Sequence, residues 1–206
     1  MTAVVRRLAD LAADLRSAPG PVRIVGIDGC GGAGKTTFAA RLSRALDDAP
    51  VVHTDDFASH EEPIEWWPRM LAQVIEPLLH NRTASYRPYD WVSRSLSPLT
   101  VAIDPAPVVI IEGVGATRSA WRDRLALRIW VETSRALRLA RGLERDGEAM
   151  SDFWVWWMAA EERYVETDQP MRYADLVVDG SPDPLDPATR HEPEAEFVAL
   201  DLSARQ

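Results

Sequence analysis

The sequence predicts an α/β fold in which a doubly wound parallel sheet carries helices on both faces. Short apolar runs, of the kind buried on both sides of a sheet, alternate with helical patterns along most of the chain. A glycine-rich segment, residues 29–36, lies between the first of these runs and the helix that follows it.

Taken in order, Val4, Val5, Leu8, Leu11, Ala12 and Leu15 recur at helical spacing. Residues 3–16 are therefore expected to form an amphipathic helix within an N-terminal segment 1–20, stopped by Pro19-Gly20-Pro21. Residues 22–27 read as a strand that ends in Asp28-Gly29 and enters a tight loop. Residues 36–46 read as a helix, and 51–54 as a second strand followed by acids. A tryptophan-rich helix is expected over 64–79, then polar irregular chain over 83–100 with room for a hairpin. Residues 108–111 are a continuous apolar run suited to a strand buried on both faces, 127–131 and 176–178 look similar, and helical patterns fill about 134–144 and 148–166. From Ser181 the chain turns Pro- and acid-rich, so 181–206 is expected to be a peripheral tail.

Composition narrows the class. A length of 206 residues suits one domain, and 46% hydrophobic content with 8% aromatics is that of a globular chain. With 23 basic against 32 acidic residues the net charge is −9, which argues against a nucleic-acid binder. A single cysteine, Cys30, cannot form an internal disulfide and points to a reducing compartment. Apolar runs fall far short of the ~18 residues that span a bilayer, and residues 1–17 lack a signal-peptide core. The expectation is a soluble cytoplasmic protein without nucleic-acid or membrane partners. Of the 23 basic residues, 22 are arginine; the one lysine is Lys35.

That lysine sits in Gly29-Cys30-Gly31-Gly32-Ala33-Gly34-Lys35-Thr36, which fits the Walker A phosphate loop G-x-x-x-x-G-K-[ST] at every fixed position. Glycines let successive N–H groups curl inward toward phosphate oxygens, and the next helix adds its positive end. Gly29, Gly31, Gly32, Ala33, Gly34, Lys35, Thr36 and Thr37 are thus the expected nucleotide contacts, with the Thr36 hydroxyl on Mg²⁺. Cys30 lies near positive charge and a helix N-terminus, surroundings that can lower a thiol pKa; the preferred reading is nonetheless a permitted variable position.

The loop alone does not give function. A guanine-reading N-K-x-D motif cannot exist in a chain whose only lysine is already used. The strand at 108–112 ends in Glu112-Gly113, which puts Glu112 beside the loop as a metal-shell residue or, failing that, as a solvated acid. His53-Thr54-Asp55-Asp56-Phe57 places two acids at the carboxyl edge of the sheet. A small-molecule kinase needs a carboxylate there to take the proton of the attacking hydroxyl, and Asp55 is assigned that role, with Asp56 as the second acid. Arg135, Arg138, Arg141 and Arg145 share one helical face. Arg135 is expected to be solvated, Arg138 to contact nucleotide, and Arg141 and Arg145 to neutralise the transferring charge.

Together these segments resemble the uridine kinase-like family of small-molecule kinases, which includes nicotinamide riboside kinases, pantothenate kinase and phosphoribulokinase. The resemblance runs from Val22 to Gly180. It rests on His53–Phe57, Tyr89-Asp90-Trp91-Val92-Ser93-Arg94-Ser95, Val108–Gly113, the Arg138-x-x-Arg141 and Arg145-Asp146 signature, and Tyr173-Ala174-Asp175. It implies a P-loop NTPase-type fold as one domain, 1–206, with a small helical lid at 134–150, ATP and Mg²⁺ as cofactors, and Asp55 as the base.

The acceptor side departs from the family. Arg94 replaces a histidine that reads the pyrimidine edge, and arginine only donates. Glu61-Glu62-Pro63 stands where D-H-P binds ribose, so Glu62 is the residue expected to meet paired hydroxyls. Asp56, Glu62, Trp67, Tyr89 and Arg94 are the candidate acceptor contacts. The eight tryptophans either stack a flat acceptor or pack helices and contacts between copies of the chain, a homo-oligomer among the expectations. The first reading is an ATP- and Mg²⁺-dependent kinase of a hydroxyl on a nucleoside or nucleoside-like compound. A kinase of a non-nucleoside metabolite or antibiotic, and a non-catalytic ATP-sensing module, are the alternatives.

Overall fold

In the computed structural model, residues 2–181 and 196–201 are described. The strands in chain order are β1 (Thr2–Arg7), β2 (Arg23–Asp28), β3 (Val51–His53), β4 (Ala84–Tyr86), β5 (Tyr89–Asp90), β6 (Ser95–Leu96), β7 (Val101–Ile103), β8 (Val108–Glu112), β9 (Leu127–Glu132), β10 (Leu176–Asp179) and β11 (Glu196–Asp201). Seven build one sheet in the order β1-β11-β10-β9-β2-β8-β3. The run from β10 to β3 is parallel, while β11 pairs antiparallel with both β10 and β1. β4–β7 and β5–β6 form two small antiparallel ladders.

Strand periodicity divides the core. Val25, Ile27, Val108 and Ile110 point to one face, where they meet α1 (Leu8–Ser17) and α2 (Lys35–Ala45) through Leu11, Leu15, Phe38 and Leu42. Ile24, Val109 and Ile111 point to the other. There they meet Met70 of α3 (Trp67–Met70), Val74 and Ile75 of a π turn, and Leu78 of α4 (Glu76–Leu79). The π turn, Leu71–Ile75, precedes Pro77, which has no N–H to continue an α ladder. Helices α5 (Arg135–Asp146) and α6 (Ser151–Asp168) follow β9, and α6 covers Trp130 and Val177 through Val165. This is the doubly wound α/β architecture. No helix among the described residues is long and apolar enough to cross a membrane.

Two elements differ from expectation. The helix predicted over 3–16 starts only at Leu8; residues 2–7 are strand β1, with Val4 and Val5 exposed. Leu8, Leu11, Ala12 and Leu15 are the buried stripe, and a helix of ten residues is enough to present it. The β-branched Val4 and Val5 pair instead with Ala199 and Val198 of β11, a partner far away in sequence. The tail also contributes to the sheet. Phe197 and Ala199 alternate inward on β11, and Phe197 packs edge-on to Phe38 at 5.3 Å. The remainder of the expected tail, residues 182–195 and 202–206, lies outside the described residues.

Candidate active site

The parallel strands deliver their carboxyl ends to one edge, and the candidate residues gather there. β2 ends in Asp28, and the glycine-rich loop carries the chain into α2 at Lys35. Gly32 adopts φ +76°, and a Cβ there would lie 2.5 Å from the Arg138 carbonyl oxygen, so only glycine fits between loop and α5. Gly34 takes φ +98° as it opens the helix. The first turn of α2 leaves N–H groups without intrahelical partners, as every helix does. Ala33 is buried, and its carbonyl accepts from Thr133 Oγ1 at 3.1 Å. Lys35 is buried, and its Nζ donates to the Cys30 carbonyl at 3.0 Å. Thr36 stands exposed at the loop mouth, with Thr37 half-buried behind it.

Glu112, the last residue of β8, reaches this mouth. Its oxygens accept from Thr36 Oγ1 at 3.2 and 3.3 Å, and its Oε1 lies 2.5 Å from His53 Nδ1. That hydrogen bond holds His53 more readily protonated than an ordinary histidine. The strand register makes the pair, because His53 sits directly across from Glu112 on neighbouring β3. Thr36 and Glu112 offer hard oxygen donors beside the loop, a set that suits Mg²⁺ sharing the rest of its shell with water and phosphate.

Asp55 follows β3 in a 3₁₀ turn. Its side chain opens to the cleft, yet protein surrounds it on the other sides. That surrounding mass raises its carboxyl above the usual range, Glu112 adds to the rise, and Lys35, His53 and Arg145 oppose it. The open face governs how far this goes, because a carboxylate that meets water keeps most of its solvation. Asp56 is turned away: Tyr86 Oη donates to its Oδ2 at 2.9 Å, so its carboxylate anchors β4.

The expected acceptor residues fall into two groups. Tyr89 lies 3.2 Å from His60 Nδ1 and edge-on to Trp91, at 5.2 Å between ring centroids. Trp91 in turn contacts Trp157 at 5.8 Å and donates from Nε1 to the Asp55 carbonyl at 3.3 Å. Glu62 and Trp67 instead line a cavity of 790 Å³ with Glu61, Glu65, Arg118 and Tyr164. Arg94 sits exposed on the β5–β6 turn at φ +54° and belongs to neither group. Trp66 is buried against Phe57 and Trp121 and packs the core.

The four arginines of α5 do not act alike. Arg135 pairs with Glu162 at 3.0 Å on the surface, the solvated position expected of it. Arg138 is buried, donating to the Thr133 carbonyl and to Glu161 Oε2 at 3.3 Å. Arg141 donates to the Gly180 carbonyl at 2.8 Å and the Gly32 carbonyl at 3.4 Å. Arg145 holds Asp146 at 2.7 Å, lies 5.6 Å from the Trp154 ring, and is close enough to Asp55 for each to bias the other's proton. One helical face thus sends its guanidinium groups to the loop, to the end of β10 and toward the cleft.

Three residues were not legible as site residues. In the sequence His53 stands out only as the first residue of the acidic segment. Asp28 accepts from the Gly29, Gly115 and Thr117 amides and from the Thr117 and Tyr164 hydroxyls. Glu161 accepts from the Gly31 amide at 2.6 Å. A signal for Glu161 did exist: it sits inside the apolar stripe Trp154, Trp157, Met158, Tyr164 of α6, where an acid has to find partners.

Cys30 follows the preferred reading, an unactivated thiol at a variable position of the loop. Burial first, then Glu161, pushes its thiol up to about 12, against the opposing pull of Arg138 and Lys35. At pH 8 the thiolate is then roughly one molecule in ten thousand. Alkylation of the folded protein by iodoacetamide should run at least ~100-fold slower than that of the unfolded chain, read by intact mass; equal rates would reject the assignment.

Comparison with known proteins agrees with this geometry. Residues 64–185, more than half of the chain, match the Phosphoribulokinase / Uridine kinase family. A uridine kinase of Borrelia duttonii (strain Ly) is 24% identical over 179 residues, covering 76% of this chain and 86% of that one. A uridine kinase of Macrococcus caseolyticus (strain JCSC5402) is 25% identical over 181 residues, covering 75% and 86%. The solved structure described as a possible uridine kinase from Bacillus stearothermophilus superposes with a TM-score of 0.61 at 24% identity, over 82% of this chain and 96% of that one, a likeness of fold. With the phosphate loop, the acid-ended strands and the arginine-bearing helix in one parallel α/β frame, the chain belongs to the Phosphoribulokinase / Uridine kinase family.

Proposed function

We propose that the protein is an ATP- and Mg²⁺-dependent kinase that transfers the γ-phosphate of ATP to a hydroxyl of a nucleoside or nucleoside-like acceptor. The observation that carries this reading is the Thr36–Glu112–His53 contact at the loop mouth, with Asp55 two residues past His53 on the same edge. A metal-organising pair and a free carboxylate at one loop are what phosphoryl transfer needs.

In this reading the loop amides and Lys35 bind the phosphates, Lys35 exchanging its Cys30 carbonyl for phosphate oxygen. Thr36 and Glu112 would hold Mg²⁺, which when bound would supply charge neutralisation on the phosphates. Asp55 orients the acceptor hydroxyl and takes its proton as the new O–P bond forms and the bond to ADP breaks. Residues 134–150 act as the lid, where Arg138, Arg141 and Arg145 offset the negative charge of the transferring group. Trp91, Tyr89, His60 and Trp157 form an aromatic wall against which a flat base would lie. The protein then acts without nucleic-acid or membrane partners. Relatives bearing the name uridine kinase support the nucleoside class.

A second acceptor class is favoured by one feature. Glu61, Glu62 and Glu65 rim the 790 Å³ cavity, a lining that suits a polyhydroxyl or amine-bearing compound. ADP release measured over a panel of nucleosides, then sugars, aminoglycosides and cofactor precursors, decides between them. Acceptor-dependent ADP with a nucleoside is expected. Turnover confined to the other compounds would move the assignment to a non-nucleoside kinase, and none with any compound would leave an ATP-sensing module.

A further inference from the structure

We propose that the Glu161 carboxylate is a built-in occupant of the phosphate loop, displaced by the phosphate tail of an incoming nucleotide, and that its departure passes Arg138 from carboxylate to phosphate. The inference rests on reading the loop as a nucleotide site.

Glu161 is 1% exposed and fully engaged. Its Oε1 accepts from the Gly31 amide at 2.6 Å and from Trp157 Nε1 at 2.7 Å; its Oε2 accepts from Arg138 at 3.3 Å. Gly31 belongs to the loop whose N–H groups cradle phosphate, so one of its donors is already taken by an anion of the protein's own. There is no slack around it. A Cβ on Gly31 would lie 3.0 Å from Glu161 Oε1 and 3.2 Å from the Trp154 ring.

A polyphosphate entering here meets a like charge in a buried setting, where Coulomb repulsion is far stronger than in water. Both anions want the same amide and the same guanidinium. A polyphosphate brings more negative charge to these donors than a single carboxylate does, so the phosphate wins at the cost of part of its binding energy and pushes the carboxylate aside. Retreat of Glu161 also frees the Trp157 indole. Trp157 packs on Trp91, which donates to the carbonyl of Asp55, so filling the loop is felt at the peptide that carries the candidate base. Donor entry and the shape of the acceptor wall become one event.

The test compares wild type, Glu161→Gln and Glu162→Gln by calorimetry, using Mg-ATP and inorganic tripolyphosphate, a probe with no base. Glutamine fills the same volume and still accepts from Gly31 and Trp157, but it removes the charge and turns an NH₂ toward Arg138. Both probes should bind Glu161→Gln at least about five-fold tighter than wild type. Glu162→Gln removes an equal charge from the exposed Arg135 pair and should stay within about two-fold. Equal or weaker binding to Glu161→Gln overturns the inference alone. Failure of wild type and variant to bind either probe overturns the nucleotide reading with it. A readout on the wild type guards against a variant that does not fold: the Trp157 indole N–H resonance should move on tripolyphosphate addition, and a fixed resonance with the probe bound overturns the inference.

Discussion

Asp55→Asn is expected to lower turnover by at least ~100-fold while ATP affinity stays within about three-fold of the wild type. Asparagine has the same shape, and among the described residues the Asp55 carboxylate accepts no hydrogen bond whose loss would disturb the fold. The change removes basicity and one charge. Lys35 loses an attraction to Asp55, while a triphosphate loses a repulsion from it, so binding of ATP changes little. The hydroxyl proton has nowhere to go, because the amide oxygen of asparagine is a far weaker base. ADP release at saturating acceptor gives the turnover, and calorimetry gives the affinity. Near-normal turnover would remove Asp55 as base and turn attention to other groups at the same edge.

What could be read from sequence follows the range of the interactions concerned. The phosphate loop was legible because its chemistry lies in eight consecutive residues, with a strand before and a helix after. Thr36 and Glu112 could be brought together only by assuming a parallel sheet with neighbouring strand ends; the β2–β8 ladder provides that neighbourhood. His53 needed the β3–β8 register as well, which periodicity does not specify. Strand β1 looks helical in sequence because Val4 and Val5 extend a helical spacing, whereas their partners on β11 lie nearly two hundred residues away. The tryptophans illustrate a different limit. Trp154 and Trp157 are buried and Trp156 is exposed, an outcome set by which face of α6 each position occupies rather than by residue type. Arg138, Arg141 and Arg145 share a face as their spacing requires, but their separate partners come from α6, from the phosphate loop and the residue after β10, and from the end of α5 itself.

Asp28→Ala is expected to destabilise the protein by about 3–5 kcal/mol, the range for breaking a buried, hydrogen-bonded charge. Asp28 has no exposed surface, and five donors converge on it. Oδ1 takes the amides of Gly29 and Gly115 at 2.7 and 3.0 Å. Oδ2 takes the Thr117 amide at 2.9 Å, its hydroxyl at 2.8 Å, and the Tyr164 hydroxyl at 2.7 Å. Alanine leaves all five without an acceptor and opens a gap. The hydroxyls can turn elsewhere, but the three amides are fixed by the backbone, at about 1–3 kcal/mol each. Relief of the carboxylate's own desolvation offsets part of that sum, which is why the loss is nearer 4 than 9 kcal/mol. For a domain of this size the melting temperature should fall by roughly 10 °C. Asp28→Asn discriminates further. Its oxygen can keep the Oδ1 place, and the Thr117 and Tyr164 hydroxyls can rotate to accept from its NH₂, so only the Thr117 amide is opposed and about half the loss is expected. Tyr164→Phe removes one donor and should cost about 1 kcal/mol. A melting temperature for Asp28→Ala within about 2 °C of wild type would show that the hub is not structural. The consequence reaches the site, because these donors come from the start of the phosphate loop, the turn after Glu112 and the helix that carries Glu161. Loosening Asp28 uncouples the loop from both, so nucleotide affinity should weaken in Asp28→Ala at temperatures where the chain is still folded, the opposite of what Glu161→Gln does.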